Sequence, residues 1–308
     1  MSDITYISGH KNPDTDSICS AIAYSELENK LGQNTKAVKL GEINEETKFA
    51  LEKFSFEVPE TLENAAGKKL ILVDHNEAKQ SPDGIEAAKI IEIVDHHKFN
   101  FKFSKPIKIL TLPLGSTCTI IAQKYEWQDV KIDRNIAGVL VSGILSDTVV
   151  FKSPTTTEVD IEVAKKMAQI AGIDDLEKFG IELKKKKASL KGKTENELIT
   201  SDMKEFDFNG KKVAIGQIEV VENDEFDKRR KEFVSEMRRM KDEKSYNLIG
   251  FMVTNIIDKT TEFVCLGEVE YVEKAFEKKA ENDSVYLENV MSRKKDIVPK
   301  LEKSILVV

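Results

Sequence analysis

The chain has 308 residues, a hydrophobic fraction of 40% and a formal net charge of −7. At roughly 150 residues per domain this length predicts two domains, and the acidic balance argues against a general nucleic-acid binder, which carries a basic face. No apolar run reaches the roughly 20 residues that cross a bilayer, and the start MSDITYISGH has no leader-like segment. Cys19, Cys118 and Cys265 lie far apart with no CxxC spacing, so reduced thiols and a cytoplasmic location are expected.

In chain order, 4–7 reads as a strand and 14–31 as a helix. Ile18, Ala21, Ile22, Ser25 and Leu31 share one face of that helix, and Gly32 is its C-cap. The runs KLILVD (69–74) and IIEIVD (90–95) are nearly continuous apolar strands ending in a carboxylate, and 109–114 is a further strand. Helices are predicted over 116–127, 134–150 and 157–171, the last capped by Thr155, Thr156 or Thr157. Such strands alternating with helices predict an α/β fold with a mostly parallel sheet covered by helices on both faces. Ligands of such sheets bind beyond the carboxyl ends of the strands. The lysine run 184–187 reads as a solvated helix end or as an interdomain connector. Beyond it, strands at 213–220, 248–254 and 262–266 and charged helices at 225–241 and 273–281 predict a smaller C-terminal α/β domain with a mixed sheet. The expected division is a metal-binding domain over 1–188, a linker over 189–194 and a substrate-binding domain over 195–308.

All four histidines fall in three short motifs that also carry aspartates: His10 in GHKNPDTD, His75 in VDHNE, and His96 and His97 in VDHH. Asp14 and Asp16 open a helix; N-capping accounts for one of them but for neither His10 nor Pro13. Asp74 ends a buried strand and needs loop amides or a cation, because a lone buried carboxylate is costly. With two oxygens it can bridge two ions. Adjacent His96 and His97 on an extended segment point to opposite sides, so one can ligate while the other faces a substrate. Asp147 interrupts an apolar helical stretch and needs a hydrogen-bonding partner or a cation. His10, Asp14, Asp16, Asp74, His96 and Asp147 are too many for one tetrahedral site with an open position. They suit two ions sharing a carboxylate, an arrangement that recurs in phosphoryl hydrolysis with about 3.5–4 Å between the ions. Mixed imidazole and carboxylate ligation favours Mn²⁺ or Co²⁺ over Mg²⁺. The roles of His75 and Asp95 stay open.

GHKNPDTD, VDHN, VDHH and SDT, in this order, resemble the DHH phosphoesterase superfamily and, within it, the family II (manganese-dependent) inorganic pyrophosphatases. The resemblance runs the length of the chain. SDMKEF (201–206) and SRKKDIVP (292–299) are similar to that family's substrate-binding segments. It implies hydrolysis of pyrophosphate to two phosphates by a water or hydroxide bridging two Mn²⁺ ions, at a site between the domains. Co²⁺ can substitute, and Mg²⁺ arrives with the substrate. It implies one metal held by His10, Asp14 and Asp74 and a second by Asp16, Asp74, His96 and Asp147. His97 would face the substrate and supply a proton, Lys204, Arg293 and Lys294 would grip the phosphates, and the protein would be a homodimer through its N-terminal domain.

By residue type alone, Arg293 with Lys294 is a reasonable phosphate clamp, but no better than the pairs Arg229–Arg230 and Arg238–Arg239, and Lys204 reads as solvated surface. Neither nucleic acid nor membrane is an expected partner. Competing readings are an exopolyphosphatase, an oligonucleotide phosphodiesterase of the same superfamily, and a metal-dependent phosphate sensor without activity. The phosphodiesterase relatives usually carry a histidine-containing motif in the second domain, whereas no histidine follows His97.

Overall fold

The computed structural model describes residues 4–102, 106–188 and 190–306. The chain divides into two compact units, Met1–Lys187 and Ala188–Val308. Ser189, at the head of the expected linker, lies outside the described residues.

In the first unit, strands β1 (Thr5–Lys11), β2 (Thr35–Leu40), β3 (Lys69–Val73), β4 (Lys89–Asp95) and β5 (Lys108–Thr111) form one sheet in the order β2-β1-β3-β4-β5. Every pairing is parallel. The central strand β3 (KLILV) lacks polar alternation because a parallel sheet covered on both faces exposes neither. Leu70 and Leu72 join Val38, Leu62, Ala65 and Ile90 in one core cluster. Helices α1 (Thr15–Lys30), α2 (Glu45–Lys53), α3 (Thr117–Trp127), α4 (Arg134–Asp147), α5 (Glu158–Ala171) and α6 (Leu176–Lys187) complete the unit. Helix α1 packs on β1, β2 and α4, and α4 packs on α3 and α5. Gly143 permits α4 to approach the site closely: a Cβ there would lie 2.4 Å from Cys118 Sγ and 2.8 Å from Asp16 Oδ1.

The structure corrects several local expectations. Leu31 is exposed rather than on the buried face, because α1 ends at Lys30 and Leu31 is its C-cap. The helix expected over 134–150 stops at Asp147, since Val149, Val150 and Phe151 turn the chain left-handed with φ of 49°, 52° and 64°. Strand β2 and helix α2 were not foreseen; the lysines of TKAVKL hide a strand that pairs in register with β1. Lys184, inside the lysine run, is not solvated. Its Nζ lies 3.1 Å from the buried Glu46 carboxylate and donates to Ser146 Oγ at 3.2 Å.

The second unit holds β6 (Met203–Phe208), β7 (Lys211–Val220), β8 (Leu248–Asn255), β9 (Thr260–Gly267) and β10 (Ser284–Glu288) in the order β10-β9-β8-β7-β6. Strands β7 and β8 are parallel and the other pairs antiparallel, so the sheet is mixed. Helices α7 (Glu195–Ser201), α8 (Asp224–Lys244), α9 (Glu270–Phe276) and α10 (Val298–Leu306) surround it. Phe226, Phe233 and Met237 of α8 enter one core cluster with Leu190, whereas Val272 of α9 and Leu301 of α10 enter another. The charged helix expected over 273–281 instead spans α9, and Glu277, with φ of 54°, ends it. Among the described residues, no helix is long and apolar enough to cross a membrane.

Breaking the Lys184–Glu46 pair strands a buried carboxylate. Lys184→Ala is expected to lower the unfolding free energy by about 3–5 kcal/mol, and Lys184→Met with Glu46→Gln to recover most of it. Urea denaturation measures both; a single-mutant loss within the roughly 1 kcal/mol typical of exposed pairs would contradict the pairing.

Candidate metal centre

The aspartate–histidine motifs meet at one end of the first sheet. His10 lies near the end of β1, Asp74 directly follows β3, and Asp95 ends β4 with His96 and His97 directly after it. These three strands are neighbours, so segments distant in sequence converge. Asp14 caps α1, its side chain accepting from Ser17 N at 2.9 Å, and Asp16 sits in the first turn of the same helix. Asp147 arrives from the last turn of α4.

Among the described residues, three sets of ligand atoms, each within 4.8 Å of one another, could hold a metal ion: one from His10, Asp14 and Asp74, one from Asp16, Asp74, His96 and Asp147, and one from Asp74, His96 and the exposed His97. Asp74 belongs to all three. Its Oδ2 lies 3.5 Å from His10 Nε2, and its Oδ1 lies 3.4 Å from His96 Nε2. His10 Nε2 is also 3.6 Å from Asp14, and His96 Nε2 is 3.3 Å from Asp147. Both imidazoles donate from Nδ1 to a backbone carbonyl, His10 to Lys11 O at 2.8 Å and His96 to Leu114 O at 2.9 Å. That fixes the tautomer and aims a lone pair on Nε2 at the carboxylates. Asp74 Oδ2 and His96 Nε2 are buried without a hydrogen-bond partner. Buried polar atoms are rarely orphaned, and a divalent cation in each of the His10 and His96 sets would satisfy them.

The chain matches the family model "DHH family, N-terminal domain" over residues 4–144 and "DHHA2 domain" over residues 181–304. It is 48% identical to a probable manganese-dependent inorganic pyrophosphatase of Archaeoglobus fulgidus, covering 99% of both chains. It is 43% identical to the manganese-dependent inorganic pyrophosphatase of Bacillus subtilis, covering 96% of both. A crystal structure of a Methanococcus jannaschii protein assigned to the family II inorganic pyrophosphatases superposes with a TM-score of 0.65 at 44% identity, covering 97% of this chain and 99% of that one. The chain belongs to the manganese-dependent inorganic pyrophosphatase family.

The electrostatics of this family member show how much positive charge the cluster demands. Burial, with the charges of Asp74 and Asp147, raises Asp16 well above the carboxylate range. Burial and the neighbouring Asp74 and Asp14 push Asp147 up to about 6 against the pull of His96. Burial alone would depress His10 and His96, but the adjoining carboxylates reverse this and raise them to about 11 and about 12. Burial likewise would raise Asp74, yet His10 and His96 hold it far below its ordinary value. With no other cation, the imidazoles are forced into that role.

The two residues left open by the sequence have structural partners. His75 spends both ring nitrogens, Nδ1 on Val73 O at 2.9 Å and Nε2 on Ser81 Oγ at 3.1 Å, and burial lowers it to about 4, so it stays neutral. Asp95 accepts from His97 Nδ1 at 2.9 Å and from Asn76 Nδ2, which holds the exposed His97 ring by one edge. Sequence reasoning placed 109–114 in a strand and 116–127 in a helix but gave the segment 114–118 no part in the site. Asp16 accepts from Ser116 Oγ at 2.6 Å, Thr117 N at 2.7 Å and Cys118 N at 3.0 Å, and Thr117 Oγ1 donates to Asp74 Oδ1 at 2.9 Å. Amides at the start of α3 suit an anionic partner, but LGSTC contains no titratable group except a thiol and gives no signal in the sequence.

Lys204, Arg293 and Lys294 belong to the second unit. Lys204 is exposed on β6 opposite Ile215. Arg293 opens the short π-helix Arg293–Ile297 and binds Asp202 through a 2.7 Å contact to Oδ1 and a second bond to its carbonyl, with Ile215 O at 3.3 Å. Lys294 is exposed.

Both imidazoles carry folded-state values above the unfolded 6.5, so the stability they contribute is complete below pH 6.5 and is lost as pH rises toward about 11 and about 12. In chelator, the unfolding free energy is therefore expected to fall between about pH 7 and 9 by roughly 2–3 kcal/mol per pH unit, about 1.4 for each imidazole. Saturating Mn²⁺ should flatten that slope. Denaturation across this window with and without chelator checks it; a flat profile in chelator would contradict the imidazolium role.

Proposed function

We propose that the chain hydrolyses inorganic pyrophosphate to two phosphates with two Mn²⁺ ions held in its first unit. The observation that carries this reading is Asp74, whose two oxygens face two different imidazoles and whose Oδ2 is buried with no partner. His10, Asp14 and Asp74 would hold one ion, and Asp16, Asp74, His96 and Asp147 the other. Four carboxylates and two neutral imidazoles carry a charge that two divalent cations cancel. The mixed nitrogen and oxygen donors suit Mn²⁺, with Co²⁺ able to substitute, and Mg²⁺ accompanies the substrate. When bound, such a pair of ions supplies an activated water and stabilises charge on the phosphoryl oxygens.

The chain's own groups orient and protonate. Three donors from 116–118 fix Asp16, and Thr117 fixes one oxygen of Asp74. His97 donates from Nδ1 to Asp95; this hydrogen bond raises its basicity against the opposing effect of burial. Its Nε2 is thereby free to hand a proton to the departing phosphate. Lys204, Arg293 and Lys294 bind the phosphate oxygens; the bonds of Arg293 within its own unit leave part of its donor fork for that task. A cytoplasmic location is supported by three buried free cysteines. A homodimer through the first unit is supported by the open sheet edge at β5, where Ile109 is exposed.

Asp74→Ala is expected to weaken Mn²⁺ binding by more than the roughly 100-fold typical of an outer-partner loss and to remove nearly all phosphate release. Arg293→Ala is expected to raise KM roughly 10- to 100-fold, the worth of a charged hydrogen bond, with Mn²⁺ affinity intact. The assay is phosphate release from pyrophosphate, tripolyphosphate and a dinucleotide in the presence of Mn²⁺. Preference for tripolyphosphate or the dinucleotide would sink the pyrophosphatase reading, and loss of Mn²⁺ binding in Arg293→Ala would sink the assignment of that arginine to substrate.

A further inference from the structure

We propose that Asp160 is a positioning residue for the metal centre, holding the segment 114–119 in the shape that orients Asp16, Asp74 and His96. This rests on the proposed function and extends it to a residue outside every aspartate–histidine motif. In sequence, TTTEVD (155–160) is a helix start. The structure has the matching capping box: Asp160 N donates to Thr157 Oγ1 at 3.4 Å, and Thr157 N donates to Asp160 Oδ2 at 2.8 Å. Capping needs nothing more than this reciprocal pair. Asp160, however, is fully buried, with 0% exposure, and burying a carboxylate is costly.

The partners that offset this cost lie largely outside α5. Gly115 N donates to Oδ2 at 2.8 Å and Thr119 Oγ1 to Oδ1 at 2.6 Å, with Thr157 Oγ1 adding a bond to Oδ2 at 2.7 Å. Gly115 makes the approach possible: a Cβ there would stand 2.8 Å from the same Oδ2. Gly115 and Thr119 bracket Ser116, Thr117 and Cys118, and Leu114 directly precedes Gly115. Leu114 O receives the Nδ1 hydrogen of His96, Ser116, Thr117 and Cys118 donate to Asp16, and Thr117 donates to Asp74. One buried carboxylate thus clamps both ends of a turn whose interior orients two candidate ligands, Asp16 and Asp74, and whose preceding residue, Leu114, orients a third, His96.

The experiment compares Asp160→Ala with Thr157→Ala, which removes the cap hydroxyl but no bond to 114–119. Mn²⁺ dissociation constants are measured by calorimetry on the metal-stripped full chain, with Tm recorded in chelator. Asp160→Ala is expected to raise the Mn²⁺ Kd roughly 10- to 100-fold, the usual consequence of losing an outer partner. Thr157→Ala is expected to lower Tm and leave Kd unchanged. An unchanged Kd in Asp160→Ala, or an equal rise in Thr157→Ala, overturns the inference. Should Asp160→Ala fail to fold, Thr119→Val removes a single bond of the clamp, and an unchanged Kd there overturns it equally. A wild-type chain that binds no Mn²⁺ would instead overturn the proposed function itself.

Discussion

The constraint on which the first unit depends is repulsion among carboxylates. Asp16 and Asp74 are buried, Asp147 is mostly covered, and all three lie within ligand distance of one another. Gathering them away from water is unfavourable unless positive charge is supplied from several directions. The fold supplies part of it. The start of α1 carries Asp14 and Asp16, and the start of α3 gives Asp16 two amide donors. Both helix starts carry partial positive charge. The two imidazoles supply more, and the orphaned Asp74 Oδ2 marks where the supply falls short.

The backbone is bent to complete this arrangement. Asp74 has φ of 61°, a left-handed conformation unusual for a residue with a side chain, held by its amide bond to Val94 O at 3.0 Å. Val149, Val150 and Phe151 are left-handed in succession, and β-branched residues resist that region. Bonds from Val150 N to Leu145 O at 2.9 Å and from Ser153 N to Thr148 O at 2.8 Å hold the turn. Its effect is to end α4 at Asp147, which puts an acid at a helix C-terminus, where the dipole disfavours it. That placement becomes favourable only with a cation beside it, so the strain and the misplaced charge point to the same requirement.

The legible part of this protein is the part written in rare residues. Four histidines among 308 residues, each within four residues of an aspartate, mark the ends of β1, β3 and β4, and nearly unbroken apolar runs mark β3 and β4 themselves. The less legible part is carried by common residues in ordinary contexts. Asp160 looks like any capping acid, Lys184 like any lysine in a run, and LGSTC like any strand-to-helix junction. Their burial depends on contacts 35 to 45 residues away or more, such as Gly115–Asp160 and Lys184–Ser146, which no local pattern encodes. Strand β2 and helix α2 escaped for a related reason: charged residues interrupt their apolar positions, and tertiary pairing rather than periodicity decides their state.

The four histidines also show why residue type alone could not separate their duties. His10 and His96 each donate Nδ1–H to a neutral backbone carbonyl, which fixes orientation and leaves Nε2 a lone pair for ligation. His97 donates to a carboxylate instead, and its ring is half exposed, the combination expected of a group that exchanges protons with a substrate. His75 has no nitrogen left over, so it can only brace the loop that runs from Val73 to Ser81. The difference lies in the second partner of each ring. In the proposed site a backbone carbonyl suits an imidazole to fixed ligation, Asp95 suits one to supplying a proton, and two neutral partners leave one a strut, which is how adjacent residues such as His96 and His97 would serve the proposed reaction in opposite ways.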